Sequence, residues 1–273
     1  MLSDITIGQY FPGTSPLHRL DPRMKLILTI VYIVAIFLAH SATAFALVTA
    51  VTIILAAASR IPLKIILKGM KPLIFIIVFT AVINIFWYKG DTLLVDFAFI
   101  HIYLEGIIYA FFMVLRITCL VVGTSVILTY TTSPIALTDG LEQLLAPLKR
   151  IHLPVHEFAM MMTIALRFIP TLIEETDKIM NAQKARGADF TSGSLIQRAK
   201  ALIPVLIPLF VSAFRRADDL AVAMECRCYR GGDGRTRMNI LRYRFSDIAA
   251  LALGAAFCAC IVLFNIFLPV IGI

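Results

Sequence analysis

Long apolar runs separated by short charged segments extend over most of the chain. Five of them, with their flanks, approach the ~20 residues that an α-helix needs to cross a bilayer. They cover residues 24–39, 43–58, 72–88, 106–130 and 246–271. The pattern predicts an all-α membrane protein with about five transmembrane helices.

The first run opens on a helix-start signal. The Asp21 side chain can cap free amides, and Pro22 stands at the first helical position, where its missing N–H costs nothing. His40 and Ser41 then interrupt the apolar sequence. We therefore expect a tight pair of helices at the start of the membrane region.

Basic residues are distributed unevenly between the two sides of the first three spans. One side carries only Lys89, and the other carries Arg19, Arg23, Lys25, Arg60, Lys64, Lys68 and Lys71. Because lysine and arginine in short loops stay on the cytoplasmic side, we expect the amino terminus in the cytoplasm and the carboxyl terminus outside. The same bias accounts for the net charge of +8 without a nucleic-acid partner.

Composition supports the membrane assignment. Hydrophobic residues make up 60% of the chain and charged residues 15%, which is too apolar for a soluble domain of this size. Three of the five cysteines lie in apolar runs, and Cys226 and Cys228 have no second pair of ligands at zinc spacing. We therefore predict free thiols, no metal site and no cofactor.

The predicted spans divide the chain into three parts. Residues 1–130 form an amino-terminal transmembrane region with four spans, and residues 246–273 form a carboxyl-terminal transmembrane helix. Residues 131–245 fall on the cytoplasmic side, but their apolar stretches are unsuited to a water-facing surface. We expect long cytoplasmic or interfacial helices there.

Two helical segments of similar layout occupy residues 154–232. Each has proline in its apolar first half, a mixed-charge second half and one arginine between small residues near its end. Pro170 in the first segment, and Pro204 with Pro208 in the second, are expected to bend these helices. A shift of 41 positions aligns Arg186 with Arg227.

The two arginines continue apolar stripes. Arg186 follows Ile179 by seven residues, and Arg227 follows Leu220 by seven. This spacing favours side chains that enter a partner. The alternative is a helix end at which arginine complements the dipole and glycine supplies a left-handed cap.

Four motifs resemble one known family. They are YFPGTSPLHRLDPRMKL from Tyr10, ARG at Ala185, Arg186 and Gly187, CRC at Cys226, Arg227 and Cys228, and YRGGDGRTR from Tyr229. In this order, and over essentially the whole chain, they resemble the transmembrane T component of energy-coupling factor transporters. The second motif often begins with alanine in that family, so Cys226 is a mild departure.

The resemblance implies a scaffold subunit in the cell membrane of a prokaryote. Such a scaffold joins two cytoplasmic ABC-type ATPases to an exchangeable membrane subunit that captures a vitamin or metal ion. Its coupling helices carry the two arginine motifs to the ATPases, one to each. The chain itself is then expected to be non-catalytic.

Methionines offer a second candidate site. Flexible thioethers suit a surface that accepts several partners, although methionine in a helix is more often core filler. On the resemblance, a shared docking face for capture subunits is the functional interpretation. The candidates are Met160, Met161, Met162, Met180 and Met224.

Arg116 lies inside the fourth predicted span, where an unpaired charge is costly. Either it has a functional role, or it pairs with a carboxylate such as Glu157 or Glu174. In the last span, small residues that include Gly254 predict a close helix contact.

Two other classes of protein fit the sequence less well. A self-contained secondary transporter or channel should show acidic residues within its spans or paired interrupted helices. A membrane-bound enzyme should cluster histidines or carboxylates near the bilayer surface. The glycine-rich loop at residues 231–237 lacks the lysine and hydroxyl ending of a nucleotide loop, and we expect it to contact lipid headgroups.

Overall fold

The chain is described here by a computed structural model that covers residues 10–87, 92–97, 100–151, 154–190, 194–232 and 241–267. Its regular structure is almost wholly helical, which confirms the predicted all-α class. In chain order the helices are α1 Pro22–Leu38, α2 Ala42–Ser59, α3 Leu63–Met70, α4 Ile74–Trp87, α5 Leu104–Thr124, α6 Pro134–Leu145, α7 Val155–Ala185, α8 Leu195–Cys226 and α9 Phe245–Phe267.

Six helical segments of the described residues are long and apolar enough to cross a membrane. Four correspond to predicted spans: α2, α3 with α4, α5 with its extension, and α9. The first predicted span is α1, which at 17 residues is slightly shorter than the others. The remaining two are α7 and α8, the predicted interfacial helices, and their mean hydropathy is lower than that of the other four.

Two features of the fold were not predicted from the sequence. The connection between α4 and α5 contains an antiparallel hairpin of β1 Leu93–Phe97 and β2 Ile100–Tyr103, where we expected only a polar loop. Thr92 closes the base of this hairpin by donating its hydroxyl to Glu105 over 2.7 Å. In addition, α5 continues as a π-helix over Ser125–Thr129.

The chain forms two compact units. Of the described residues, those within 10–141 and 241–267 form the core unit, and those within 142–232 form the pair unit. The core unit contains α1 to α5 and α9. The pair unit contains α7 and α8.

Tyr32 lies at the centre of the core unit and is 3% exposed. Its hydroxyl donates to the carbonyl of Cys119 over 2.9 Å and lies 2.7 Å from the hydroxyl of Thr52. A Cβ atom at Gly123 would come within 2.2 Å of the Tyr32 ring. Glycine is therefore required where α5 crosses this tyrosine.

The predicted cap of α1 is confirmed, and it belongs to a larger polar cluster. Asp21 accepts a hydrogen bond from the amide of Arg23 over 3.0 Å. Asp247, only 1% exposed, accepts from the amides of Asp21 and Arg244 over 3.0 and 2.7 Å. These bonds join the amino-terminal ends of α1 and α9, and they satisfy a carboxylate that would be costly to bury alone.

The close contact predicted at Gly254 is also present. A Cβ atom on this glycine would lie 3.0 Å from a methyl group of Leu28 on α1. A side chain at this position would push the two helices apart, so the small residue allows α9 to approach α1.

Arg116 binds a different kind of partner from the one expected. Its guanidinium donates to the backbone carbonyl of Ala39 over 2.9 Å, and its carbon atom lies 5.1 Å from the ring centre of Phe45. Ala39 is the residue that ends α1. The structure thus gives Arg116 a carbonyl and an aromatic ring where the sequence suggested Glu157 or Glu174, because the turn after α1 brings unpaired carbonyls within its reach.

Candidate functional site

The two helices that carry the arginine motifs pack against each other in opposite directions. Near the middle of α7, Glu175 accepts a hydrogen bond from Ser212 over 2.7 Å and forms an ion pair with Arg216. Further along α7, Gln183 donates to the carbonyl of Pro204 over 3.4 Å. Later residues of α7 thus meet earlier residues of α8, so the pair is antiparallel.

Both helices run through their prolines without interruption. Pro170 lies inside α7, and Pro204 and Pro208 lie inside α8. The proline-free parts of the two helices carry the Glu175 contacts and the arginine motifs. Each motif therefore follows an unbroken length of hydrogen-bonded helix.

Arg186 and Arg227 occupy the same position at the ends of their helices. Each is the residue that terminates the helix, with φ and ψ of −87° and 7° for Arg186 and of −90° and 12° for Arg227. The next residue is left-handed in both cases, with φ of 90° at Gly187 and 56° at Cys228. The 41-residue offset seen in the sequence is therefore repeated in the backbone.

The same two hydrogen bonds close each helix. In α7 the amide of Ala188 donates to Gln183 over 3.0 Å, and the amide of Gly187 donates to Lys184 over 2.9 Å. This nested pair of bonds is a Schellman motif. In α8 the matching bonds run from Tyr229 to Met224 over 3.0 Å and from Cys228 to Glu225 over 2.8 Å.

All six motif residues are exposed on this chain. They are Ala185, Arg186, Gly187, Cys226, Arg227 and Cys228. Within the described residues, neither motif guanidinium forms a hydrogen bond or ion pair. The left-handed cap that we considered as the alternative is thus present, and both arginines remain available to a partner.

The antiparallel arrangement separates the two tips, which we define as residues 185–187 and 226–228. Arg186 lies eleven residues beyond Glu175 on α7, and Arg227 lies eleven beyond Arg216 on α8. At a helical rise of 1.5 Å per residue, each tip extends about 16 Å from the contact at Glu175, in opposite directions. The pair can therefore present its tips to two separate binding sites.

Beyond the second tip the chain meets the start of α7 at Gly232. A Cβ atom at Gly232 would meet the imidazole of His156 at 2.4 Å, and His156 lies 3.0 Å from a carboxylate oxygen of Glu142. At the left-handed glycines Gly187 and Gly231, a Cβ atom would meet nothing within 4 Å. Most of the loop that follows, including residues 233–237 of the predicted lipid-contacting segment, lies outside the described residues.

The five candidate methionines are not equally accessible. Met161 and Met162 are 57% and 41% exposed. Met160, Met180 and Met224 are half-buried. The first two are thus the better candidates for a docking surface.

An apolar stripe on α8 faces away from the α7 contacts and was not among the sites predicted from the sequence. Its residues recur at four- and three-residue steps and are at least half exposed: Ile203, Ile207, Phe210 and Phe214. Val205, on the opposite side, is 3% exposed. A second periodicity in the apolar positions of α8 could have revealed this stripe.

No group of three or more histidine, cysteine, aspartate or glutamate side chains in the described part of the chain could hold a metal ion. All five cysteines are free. The chemistry available at the tips is that of two cationic side chains on helix ends. Guanidinium groups in such positions can form bidentate hydrogen bonds with carboxylates.

Comparison with known proteins identifies the family. The model of the CbiQ family, described as cobalt transport protein, matches residues 13–238. The chain belongs to this family. Its match includes both arginine motifs and the four predicted spans of the amino-terminal region.

Several bacterial proteins are similar to this chain over nearly its whole length. A protein of Ruminiclostridium cellulolyticum is 56% identical over 263 residues, which cover 96% of this chain and 98% of the relative. One from Thermosediminibacter oceani is 55% identical over 249 residues, covering 91% and 93%. One from Bacillus subtilis is 48% identical over 251 residues, covering 92% and 94%.

Each of these relatives is named "Energy-coupling factor transporter transmembrane protein EcfT". The predicted resemblance to the transmembrane T component of these transporters is confirmed. The chain is therefore a multi-pass membrane component of a transport system.

Proposed function

We propose that this CbiQ-family chain is the scaffold of an ATP-driven importer. It couples ATP hydrolysis by two cytoplasmic ATPases to the movement of a membrane subunit that captures a vitamin or metal ion. Hydrolysis belongs to the partners, and this chain transmits their motion. The observation that carries the proposal is the pair of exposed arginine tips with matching caps at opposite ends of α7 and α8.

Each tip is suited to a carboxylate-lined groove on one ATPase. The guanidinium projects from a helix end, and the small neighbours Ala185 and Gly187 allow a partner backbone to approach Arg186. Cys226 and Cys228 serve Arg227 in the same way. Because a bidentate arginine contact fixes direction as well as distance, each tip can follow a rotation of its ATPase.

The antiparallel pair provides the mechanical link. Glu175 holds α8 through Ser212 and Arg216 at a point between the tips. When the two ATPases close on ATP, the tips are drawn together and both helices tilt about this contact. The tilt is transmitted to whatever lies on the outer surface of the pair.

The exposed stripe on α8 is suited to the capture subunit. Phe210 and Phe214 are 60% and 67% exposed on this chain, and their rings offer a large apolar area to a membrane-embedded partner. Met161 and Met162 add a flexible apolar surface on α7. An exchangeable membrane subunit could bind this surface by apolar contacts alone.

The proposed orientation has the amino terminus and both arginine tips in the cytoplasm. It is supported by the seven basic residues that flank the first three spans on one side. Arg60, which ends α2, is one of them and is exposed.

Reconstitution with partner subunits tests the proposal. Proteoliposomes would contain this chain, two ATPases and a vitamin-capturing subunit, and ATP-driven vitamin uptake would be measured. The variant Arg186→Ala/Arg227→Ala should lower uptake at least about tenfold, as expected when buried arginines are removed from an interface. Arg215→Ala, an exposed arginine of α8 between the prolines and the tip, is the matched control and should retain uptake.

Undiminished uptake by the double variant would overturn the coupling role of the tips. Uptake by this chain in liposomes without ATPases would instead favour a self-contained transporter.

A further inference from the structure

The core unit contains an apolar crevice that the proposed coupling role does not use. It has a volume of about 350 Å³ and is bounded by α1, α2 and α9. Its lining includes Ile54 and Leu253, which are 63% and 72% exposed, so the crevice opens at the side of the unit. Tyr32 and Phe257 form its inner end, with ring centres 6.3 Å apart.

The length of the crevice corresponds to one leaflet of a bilayer. Its lining extends from Leu20, which precedes α1, to Tyr32 on that helix. Pro22, the first residue of α1, and Tyr32 are ten residues apart, which is about 15 Å at 1.5 Å per residue. Half of a hydrocarbon core that is ~30 Å thick is similar.

The end of the crevice opposite Tyr32 is strongly basic. Leu17 and Leu20 line this end, and Arg19 lies between them in the sequence. Asp247 connects this segment to α9, because it accepts hydrogen bonds from the amides of Asp21 and Arg244. The side chains of Arg19 and Arg244 therefore belong to the same end of the unit.

These two arginines are available, whereas the neighbouring charges are engaged. Arg23 binds the Asp21 carboxylate and lies over the ring of Tyr243, 4.4 Å from its centre. Lys25 donates to backbone carbonyls over 2.9 and 3.3 Å. Arg19 and Arg244 are exposed, and their side chains have no hydrogen bond or ion pair within the described ranges.

We propose that this crevice binds one anionic phospholipid. An acyl chain occupies the space between α1, α2 and α9, and the phosphate-bearing headgroup is held by Arg19 and Arg244. Apolar volume alone would accept any lipid. The selectivity for an anionic headgroup follows from the basic end, since basic pockets between transmembrane helices favour such headgroups.

Native mass spectrometry of the purified full-length chain tests the assignment. The protein would be equilibrated with equal amounts of phosphatidylglycerol and phosphatidylcholine that carry identical acyl chains. We expect one retained lipid, predominantly phosphatidylglycerol. Equal retention of the two lipids, or no retained lipid, would overturn the proposal.

Two sets of variants distinguish the site for the acyl chain from the site for the headgroup. Ala250→Phe and Val51→Phe fill the crevice from α9 and from α2, and both should abolish retention of either lipid. Ala255→Phe, an exposed position of α9 outside the crevice, is the matched control. Arg19→Gln and Arg244→Gln should each reduce the preference for phosphatidylglycerol about fivefold, as expected for one basic residue at a membrane surface.

Lys64→Gln/Lys68→Gln on α3 removes two basic charges away from the crevice and should leave the preference unchanged. Thermal unfolding and a monodisperse elution profile establish that each variant is folded. If both filling variants fail to fold, the arginine variants still decide the question. An unchanged preference in Arg19→Gln/Arg244→Gln would contradict the headgroup site, and the measurement needs no ATPase.

Discussion

Gly187 and Cys228 occupy the same left-handed position, one residue beyond the arginine that ends each helix. Their φ angles are 90° and 56°. Glycine adopts this conformation without penalty, whereas a residue with a side chain loses roughly 1–2 kcal/mol. The two tips are thus alike in hydrogen bonding but unlike in backbone strain.

Adding a side chain at position 187 and removing the side chain at position 228 should have opposite effects on cap stability. Gly187→Ala should destabilise the first cap by about 1 kcal/mol, because a Cβ atom there meets nothing within 4 Å and only the backbone penalty remains. Cys228→Gly should stabilise the second cap by a similar amount. Hydrogen exchange of the Ala188 and Tyr229 amides reports the two caps, and the expected changes are about fivefold faster and about fivefold slower, respectively.

Each substitution provides the control for the other, because only the amide of its own tip should respond. Slower exchange in Gly187→Ala, or unchanged exchange in both variants, would show that the left-handed residues do not limit cap stability.

The ion pair between Glu175 and Arg216 should stabilise the antiparallel helix pair. Both side chains are partly exposed, at 24% and 37%, so solvent reduces its strength. We expect a coupling energy of about 1 kcal/mol from a double-mutant cycle with Glu175→Gln and Arg216→Gln. Chemical unfolding of the purified chain supplies the four free energies.

Glu174→Gln is the matched control, since Glu174 is the adjacent exposed carboxylate. A cycle between Glu174 and Arg216 should give no coupling. Coupling of equal size in the two cycles would mean that general charge, rather than the contact seen at Glu175, holds α8.

Arg116 should contribute to the stability of the fold rather than to transport. Replacing it by methionine keeps much of its volume but leaves the buried carbonyl of Ala39 without its guanidinium donor. We expect a loss of about 1–3 kcal/mol in unfolding free energy. Uptake per folded molecule should remain close to that of the unaltered chain.

A double-mutant cycle of Arg116→Met with Phe45→Leu isolates the ring contact of Arg116 from the core packing of Phe45, which is 1% exposed and also contacts Phe112. The coupling energy between the two residues should be about 0.5–1 kcal/mol. Lost uptake at unchanged stability in the Arg116 variant would indicate a functional charge instead.

The apolar stripe of α8 should bind the capture subunit. Phe210→Asp inserts a carboxylate into the stripe, and it should remove the capture subunit from the purified complex while the ATPases remain. Val222→Asp is the control, because Val222 is 58% exposed but lies about a quarter turn from the stripe. Equal loss of the capture subunit from both variants would show that the stripe has no special role.

Much of the fold could be predicted from local sequence. The cap at Asp21, the interruption at His40 and the small residue at Gly254 each depend on residues close in sequence or on a steric limit. These features are confirmed. Apolar runs also gave the spans, because a helix in a bilayer must satisfy its own backbone and bury a continuous apolar surface.

Long-range relationships could not be obtained in this way. Arg116 was expected to find a carboxylate, because sequence reveals charge but not the nearby helix end at Ala39. The hairpin between α4 and α5 escaped notice because its strands are short. Periodicity identified one face of α8, but it did not indicate that α8 runs antiparallel to α7.

The arginine motifs show most clearly which features the sequence alone can predict and which it cannot. The 41-residue offset was visible in the sequence, and the matching caps at Arg186 and Arg227 give it a structural form. The ATPase-binding role of these residues stays a prediction. It rests on exposure, spacing and family membership.

Site-specific photo-crosslinking tests this central claim most directly. A photoreactive amino acid at position 186 or 227 of the complete complex should produce an adduct between this chain and an ATPase subunit, while the same group at position 215 should not. Adducts with an ATPase at both tips are the predicted result. Adducts with lipid or with the capture subunit alone, at either tip, would contradict the account.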